Sequence, residues 1–164
     1  MRTVVAVVMG VSGAGKSTIG RALADALGCD FVDGDDLHPP ANRAKMSAGI
    51  PLTDDDRAPW LLAIAAWIDT CRAAGRSGVV ACSALTRAYR DVLRRDDVVF
   101  VHLTGSAEVL HARLVARRGH FMPAALLDSQ LALLEPPGPD ENAITVDITD
   151  PPDVQVRSVL ERLA

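Results

Sequence analysis

The sequence predicts an α/β fold in three layers, a five-stranded parallel sheet with helices on both faces, and three observations carry that prediction. Short β-branched apolar runs alternate with helix-period segments along the whole chain. The first run, Thr3 to Met9, leads directly into Gly10-Val-Ser-Gly-Ala-Gly15-Lys16-Ser17, a complete G-x-x-x-x-G-K-[ST] phosphate-binding loop set between a strand and a helix. Hydrophobic residues make up 49% and aromatics only 4%, with Ala, Val and Leu dominant, which suits Val-rich parallel strands under Ala- and Leu-rich helices. At 164 residues the chain fits one domain with a continuous core.

Each element has a local reason. Thr3 to Met9 is short and β-branched enough for a buried strand, and Thr18 to Leu27 carries Ile19, Leu23 and Leu27 at helical spacing. Cys29 to Val32 is the second strand, ended by the polar turn Asp33-Gly34-Asp35-Asp36. Pro39-Pro40 opens a short helix through about Met46, because proline is tolerated in a first helical turn. Thr53-Asp-Asp-Asp56 resembles a capping box and starts a longer helix that ends near Gly75. Trp60, Ile64, Trp67 and Ile68 share one face of that helix, which makes the two tryptophans core residues. Gly78 to Cys82 is the third strand, followed by Ser83-Ala-Leu85 and a basic helix from about Thr86 to Arg95. Val98 to Leu103 is the fourth strand and Ala107 to Arg117 a helix. Gly119-His-Phe-Met-Pro123 reads as a turn before the helix Ala124 to Leu134. Ala143 to Ile148 is the last strand and Pro151 to Leu163 the closing helix. Crossovers between parallel strands are right-handed, and ligands of such sheets bind outside the carboxyl ends of the strands. That rule gathers Lys16, Asp33, Asp35, Ser83 and Arg87 around one crevice.

The loop glycines Gly10, Gly13 and Gly15 let backbone N–H groups turn inward around phosphate oxygens, and the helix N-terminus adds partial positive charge. Lys16 then reaches the β/γ-phosphates of a nucleoside triphosphate and the Ser17 hydroxyl binds Mg²⁺, with Ser12, Ala14 and Thr18 completing the nucleotide contacts. A glycine-rich turn that binds nothing would leave the Lys16-Ser17 pair unexplained. The motif alone fits a motor, a GTPase, a regulator or a small-molecule kinase. The strand Val79-Val-Ala-Cys82 ends in Cys where many such ATPases carry an acidic metal residue, and no N-K-x-D guanine signature is present. Carboxylates sit instead at Asp33, Asp35 and Asp36. Two of them, spaced i, i+2 across a glycine turn, can divide two jobs: ordering Mg²⁺ waters and holding the hydroxyl that attacks the γ-phosphate. The competing reading is an ordinary turn with solvated acids.

Cations follow in two groups. His38, Arg43, Lys45, Arg57, Arg87 and Arg90 would make a pocket for an anionic acceptor if the crevice gathers them; taken singly, each reads as a surface charge. Arg113, Arg117, Arg118 and His120 suit a lid at about 117–123 that closes over the transferring phosphate, or else a basic helix end that complements its dipole. Residues 37–60 form the expected acceptor-binding helical region. A net charge of −4 argues against nucleic-acid and anionic-membrane partners. The apolar run after Arg2 is too short for a secretion signal, and no stretch approaches the ~20 residues that span a bilayer, so a cytoplasmic protein is expected. Cys29, Cys71 and Cys82 lack metal-site spacing and read as core thiols of a reducing compartment.

Five segments together closely resemble the gluconokinase family. They are the phosphate loop; Phe31-Val-Asp-Gly-Asp-Asp-Leu-His-Pro39 with Asn42 and Lys45-Met46; Gly49-Ile-Pro-Leu-Thr-Asp-Asp-Asp-Arg57-Ala-Pro-Trp60; Cys82-Ser-Ala-Leu85 with Tyr89-Arg-Asp91; and Gly119-His-Phe-Met122 with Ser129-Gln130 and Leu134-Glu135-Pro136. The resemblance implies ATP-dependent phosphorylation of D-gluconate at its 6-hydroxyl, on a P-loop NTPase fold like that of nucleoside monophosphate kinases, in a homodimer. Similarity to the related shikimate kinases implies Asp33 on the Mg²⁺ side, Asp35 at the acceptor hydroxyl, Arg57 at the acceptor carboxylate and Arg117 as the lid cation. By the same relation Arg113, with Pro151 or Pro152, flanks adenine. His38, Lys45, Arg87, Arg90 and His120 are expected on the acceptor side. One departure concerns that side: the family commonly has Lys after Cys-Ser-Ala-Leu, whereas this chain has Thr86 and then Arg87. Either Arg87 supplies the charge from the next position or the contact is weakened. The alternatives are a kinase of another small anionic acceptor, such as shikimate or a different sugar acid, and a nucleotide-binding regulatory module with little turnover.

Overall fold

The computed structural model describes residues 3–116 and 124–163. Five strands, β1 (Val5–Met9), β2 (Asp30–Asp33), β3 (Gly78–Ala81), β4 (Val98–Thr104) and β5 (Ala143–Asp147), form one sheet in the order β2-β3-β1-β4-β5. All neighbours run parallel; Val5 of β1 sits opposite Gly78 on one side and Val98 on the other. The helices are α1 (Lys16–Leu27), α2 (Pro40–Ser47), α3 (Asp54–Ala73), α4 (Arg87–Leu93), α5 (Ala107–Ala116), α6 (Ala124–Leu133) and α7 (Pro152–Leu163). Every strand and helix expected from the sequence is present, with ends shifted by a few residues.

The three layers follow from strand alternation. Every residue of β1 is buried, but Ala6 and Val8 join one core with Ile19, Leu23, Leu110 and Val159, while Val5, Val7 and Met9 join another with Trp60, Ile64, Ile68 and Phe100. Side chains one residue apart point to opposite faces, so a strand covered by helices on both sides must be apolar throughout. Trp60 and Ile68 are core residues as expected, and Trp67 packs partly buried beside them.

Two local features position the site. The predicted capping box is present: Asp56 N–H donates to Thr53 Oγ1 at 3.1 Å, and Thr53 N–H donates to Asp56 Oδ2 at 2.9 Å. The second feature is more ordered than the polar turn that the sequence predicts, forming a 3₁₀ turn over Gly34–Leu37. Asp33, the last residue of β2, caps it by accepting the Asp35 N–H at 3.0 Å. Gly34 is required there because a Cβ would collide with the Ala81 carbonyl oxygen of the adjacent strand. Gly34→Ala is therefore expected to cost about 1–3 kcal/mol through backbone displacement, read as a lower urea midpoint at unchanged m-value.

Candidate active site

A crevice of about 440 Å³ opens at the carboxyl ends of β1, β2 and β3. Its floor is the phosphate loop. Gly10, Gly13 and Gly15 have φ values of 150°, 86° and 93°, and those left-handed positions are open to glycine without steric cost. Gly10 also lies where a Cβ would come within 2.8 Å of the Leu103 carbonyl oxygen, so the loop can pass over β4 only as glycine. Ala14 is buried, its N–H donating to the Val11 carbonyl at 3.2 Å, and Thr18 is exposed in the first turn of α1. Lys16 reaches back to the Val11 carbonyl at 3.1 Å and borders the crevice. The Ser17 hydroxyl donates to Asp33 Oδ2 at 2.6 Å, bringing two hard oxygen donors together at the strand end.

Asp35 faces the crevice from the 3₁₀ turn. Its carboxyl keeps an open side, yet the surrounding walls desolvate it and the neighbouring Asp33 and Asp36 repel its charge; together these outweigh Lys16 and Arg43 and raise its pKa above the usual carboxylate value. Trp60 holds that turn in place, since its Nε1–H donates to the Gly34 carbonyl at 2.7 Å. The indole also stacks on His38, ring centroids 4.2 Å apart. Burial, then Arg43 and Arg57, pushes the His38 pKa down to about 4, so His38 is neutral at pH 7. It meets the Asn42 side-chain amide at 3.1 Å.

Arg57 lies on the far wall. Its guanidinium donates to the Leu52 carbonyl at 2.7 Å and to the Tyr89 hydroxyl at 3.0 Å, and stands over the Tyr89 ring at 5.3 Å. Tyr89 in turn donates to Asp54, one residue inside α3 from the Thr53 cap. Sequence reasoning misses this Asp54–Tyr89–Arg57 chain, although Tyr89 sits in one of the segments that carry the family resemblance. Gln130 is another such residue, and the resemblance implies no role for it. In the fold its Oε1 reaches from α6 to accept the Ser12 N–H of the phosphate loop at 2.7 Å.

A gluconokinase from Gluconobacter oxydans (strain 621H) is 55% identical over 159 residues, covering 96% of this chain and 87% of that protein. The chain belongs to the gluconokinase family. The family model for shikimate kinase also matches residues 12–135, so the gluconokinase family shares its P-loop domain type. Among solved structures, a sugar kinase from Janibacter sp. HTCC2649 superposes with a TM-score of 0.94 at 51% identity, covering 98% of this chain and 94% of that one. A gluconokinase from Sinorhizobium meliloti 1021 gives 0.87 at 50% identity, covering 99% and 94%.

Against the roles implied by the gluconokinase family, three cations need correction. Arg90 does not reach the crevice: it is wholly buried and paired with Glu141 at 2.8 Å. Arg87 points outward to Asp140, so it does not replace the Lys that the family commonly has at 86; Thr86 instead caps α4, its hydroxyl accepting the Tyr89 N–H at 3.2 Å. Lys45 is held by Asp56 at 2.7 Å, a contact that, with the capping hydrogen bonds, lowers the Asp56 pKa to about 2. Lys45 therefore braces the start of α3 and does not border the crevice. Arg113 donates to the Ile148 carbonyl at 2.6 Å, which brings it to the segment that contains Pro151. Arg117, Arg118, His120 and the expected lid lie outside the described residues. Cys71 and Cys82 are buried, and burial pushes the Cys82 thiol up to about 12, in keeping with an inert core thiol.

Proposed function

We propose that the chain transfers the γ-phosphoryl group of ATP to the 6-hydroxyl of D-gluconate, giving 6-phospho-D-gluconate and ADP. The observation that carries this reading is one crevice with a phosphate loop and a carboxylate, Asp35, on its floor and an oriented guanidinium, Arg57, on its wall, in a chain 55% identical to a gluconokinase. An acceptor with a carboxylate at one end and a primary hydroxyl at the other uses both ends of that crevice.

In this reading Lys16 and the loop N–H groups neutralise charge on the transferring group, and Asp35 orients the acceptor hydroxyl and takes its proton late, because such transition states are loose. Arg57 binds the acceptor carboxylate, its fork pre-set by Tyr89 and the Leu52 carbonyl. Ser17 and Asp33 are the proposed Mg²⁺ side. Their oxygens, 2.6 Å apart, suit a hard cation that takes its remaining ligands from phosphates and water. Among the described residues no group of three or more His, Cys, Asp or Glu could hold a metal ion by itself, which fits a cation that arrives with the nucleotide. When bound, Mg²⁺ supplies charge neutralisation at the transferring phosphoryl group. Gly10, Ser12, Gly13, Ala14, Gly15 and Thr18 complete the nucleotide site, with Arg113 and Pro151 flanking the base and Arg117 closing from the lid. His38 and His120 are proposed acceptor contacts, His38 as a neutral ring. A homodimer and a cytoplasmic setting are part of the same proposal; no described helix is long and apolar enough to cross a membrane.

The test is acceptor-dependent ADP release with Mg·ATP, comparing D-gluconate, other sugar acids, shikimate and no acceptor. Stimulation by D-gluconate alone supports the reading. The shikimate kinase match over residues 12–135 makes shikimate the most informative competitor, and stimulation by it instead would move the acceptor while keeping the reaction. Arg57→Ala is expected to raise the KM for gluconate about 10- to 100-fold, the size of a lost charge-assisted bidentate contact. An unaltered KM would put the carboxylate elsewhere.

A further inference from the structure

We propose that Arg90 and Glu141 are positioning residues for acceptor binding, acting through the loop Ser83-Ala84-Leu85; the inference rests on the functional reading above. Arg90 is wholly buried and Glu141 nearly so. The guanidinium donates from Nε to Glu141 Oε1 at 2.8 Å and from Nη2 to Oε2 at 3.3 Å. Its remaining direction is used on the backbone: Nη1 donates to the Ala84 carbonyl at 2.9 Å. Glu141 is itself fixed by the Gly138 N–H at 2.6 Å and by Arg94 at 3.5 Å.

Stability alone is a poor reason for such a pair, since well-packed apolar residues often replace buried ion pairs at no loss. The hydrogen bond to Ala84 is what an apolar pair cannot supply. Ala84 has a φ of 44°, a left-handed conformation that is strained for a residue with a Cβ and persists where the surroundings enforce it. It is fully buried, so its carbonyl depends on protein donors.

The loop is pinned one carbonyl at a time by three separate parts of the chain. Ser83 accepts from the Gly10 N–H at the start of the phosphate loop at 3.3 Å, Ala84 accepts from Arg90 on α4, and Leu85 accepts from the Glu135 N–H beyond α6 at 2.8 Å. Ser83 and Leu85 border the crevice, whereas neither Arg90 nor Glu141 does. The buried pair thus stands behind the crevice wall and sets the backbone that presents Ser83 and Leu85 to the acceptor.

The experiment compares the double variant Arg90→Met/Glu141→Met with the wild-type chain, measuring Tm and the separate KM values for ATP and D-gluconate. The double change removes both charges together and leaves neither buried alone. The expected result is a Tm several degrees below wild type, because the buried Ala84 carbonyl and the Gly138 N–H lose these partners, an ATP KM within about twofold, and a gluconate KM raised about tenfold, the scale of one lost hydrogen bond in an ordered site. An unchanged gluconate KM, or equal rises in both KM values, would overturn the proposal and leave the pair a structural one. Should the double variant fail to fold, Arg90→Lys carries the test, because an ammonium keeps the charge but lacks the planar fork that reaches Glu141 and Ala84 at once. It must raise the gluconate KM and spare that of ATP. Loss of the functional reading looks different: the wild-type chain itself would then show no ADP release stimulated by gluconate.

Discussion

Replacing Lys16 by Met should lower kcat for ADP release by about 10³-fold or more, with the fold intact. The ammonium stands in the first turn of α1, half-buried, on the crevice floor and within 3.1 Å of the Val11 carbonyl. Methionine keeps most of the stem and its helix propensity while removing only the charge. A preorganised donor aimed at developing charge is worth about 10²–10³ in kcat, and a full positive charge on the transferring phosphate belongs at or above the upper end. The measurement is steady-state ADP release alongside a thermal melt. Near-zero turnover at an unchanged Tm is the expected outcome. A fully active Met variant would overturn the nucleotide assignment and with it the kinase reading.

Features encoded within a few residues are legible in the amino-acid sequence. The phosphate loop, the Thr53 to Asp56 capping box and the strand–helix alternation depend on local spacing, and each lies where the spacing puts it, within a few residues. The crevice at the ends of β1, β2 and β3 follows from the general rule for parallel sheets. The fates of individual cations do not. Arg90 and Arg87 sit one helical turn apart in a basic segment, and nothing local distinguishes them from acceptor contacts. Their partners, Glu141 and Asp140, are 51 and 53 residues away on the segment before β5. Pairing of that kind is set by which strands become neighbours, a fact of topology with no periodic signature. The same holds for Tyr89, whose acceptor Asp54 is 35 residues earlier. Arg57 differs because the capping box fixes where α3 begins, and the first turn of a helix starting at the crevice carries its side chains to the rim.

Asp35→Asn is expected to cut kcat about 10²- to 10³-fold while leaving ATP binding within a few-fold, because a positioned proton acceptor contributes on that scale. The two states of Asp35 also separate function from stability. Its pKa is raised in the fold, chiefly by desolvation, so the ionised carboxylate that the reaction needs is the form the fold disfavours. Between the ordinary carboxylate value near 3.9 and the raised one, the folded state binds more protons than the unfolded state, and stability falls as pH rises through that window. Above it the full cost of holding a charged Asp35 remains in place. Asn carries no such charge. The variant should therefore melt higher than wild type at pH 7, with the gap narrowing as pH falls through that window and gone once pH is well below about 4, where Asp35 is neutral in both states. The wild-type kcat/KM for gluconate should decline on the acid side with an inflection above the ordinary Asp value, and the Asn variant should lose that inflection. A less active but more stable Asn variant is what a strained, function-bearing carboxylate predicts. An Asn variant with wild-type kcat would remove Asp35 from the acceptor hydroxyl. One that melts lower at pH 7 would mean that the attraction of Lys16 and Arg43 outweighs the desolvation of the carboxylate.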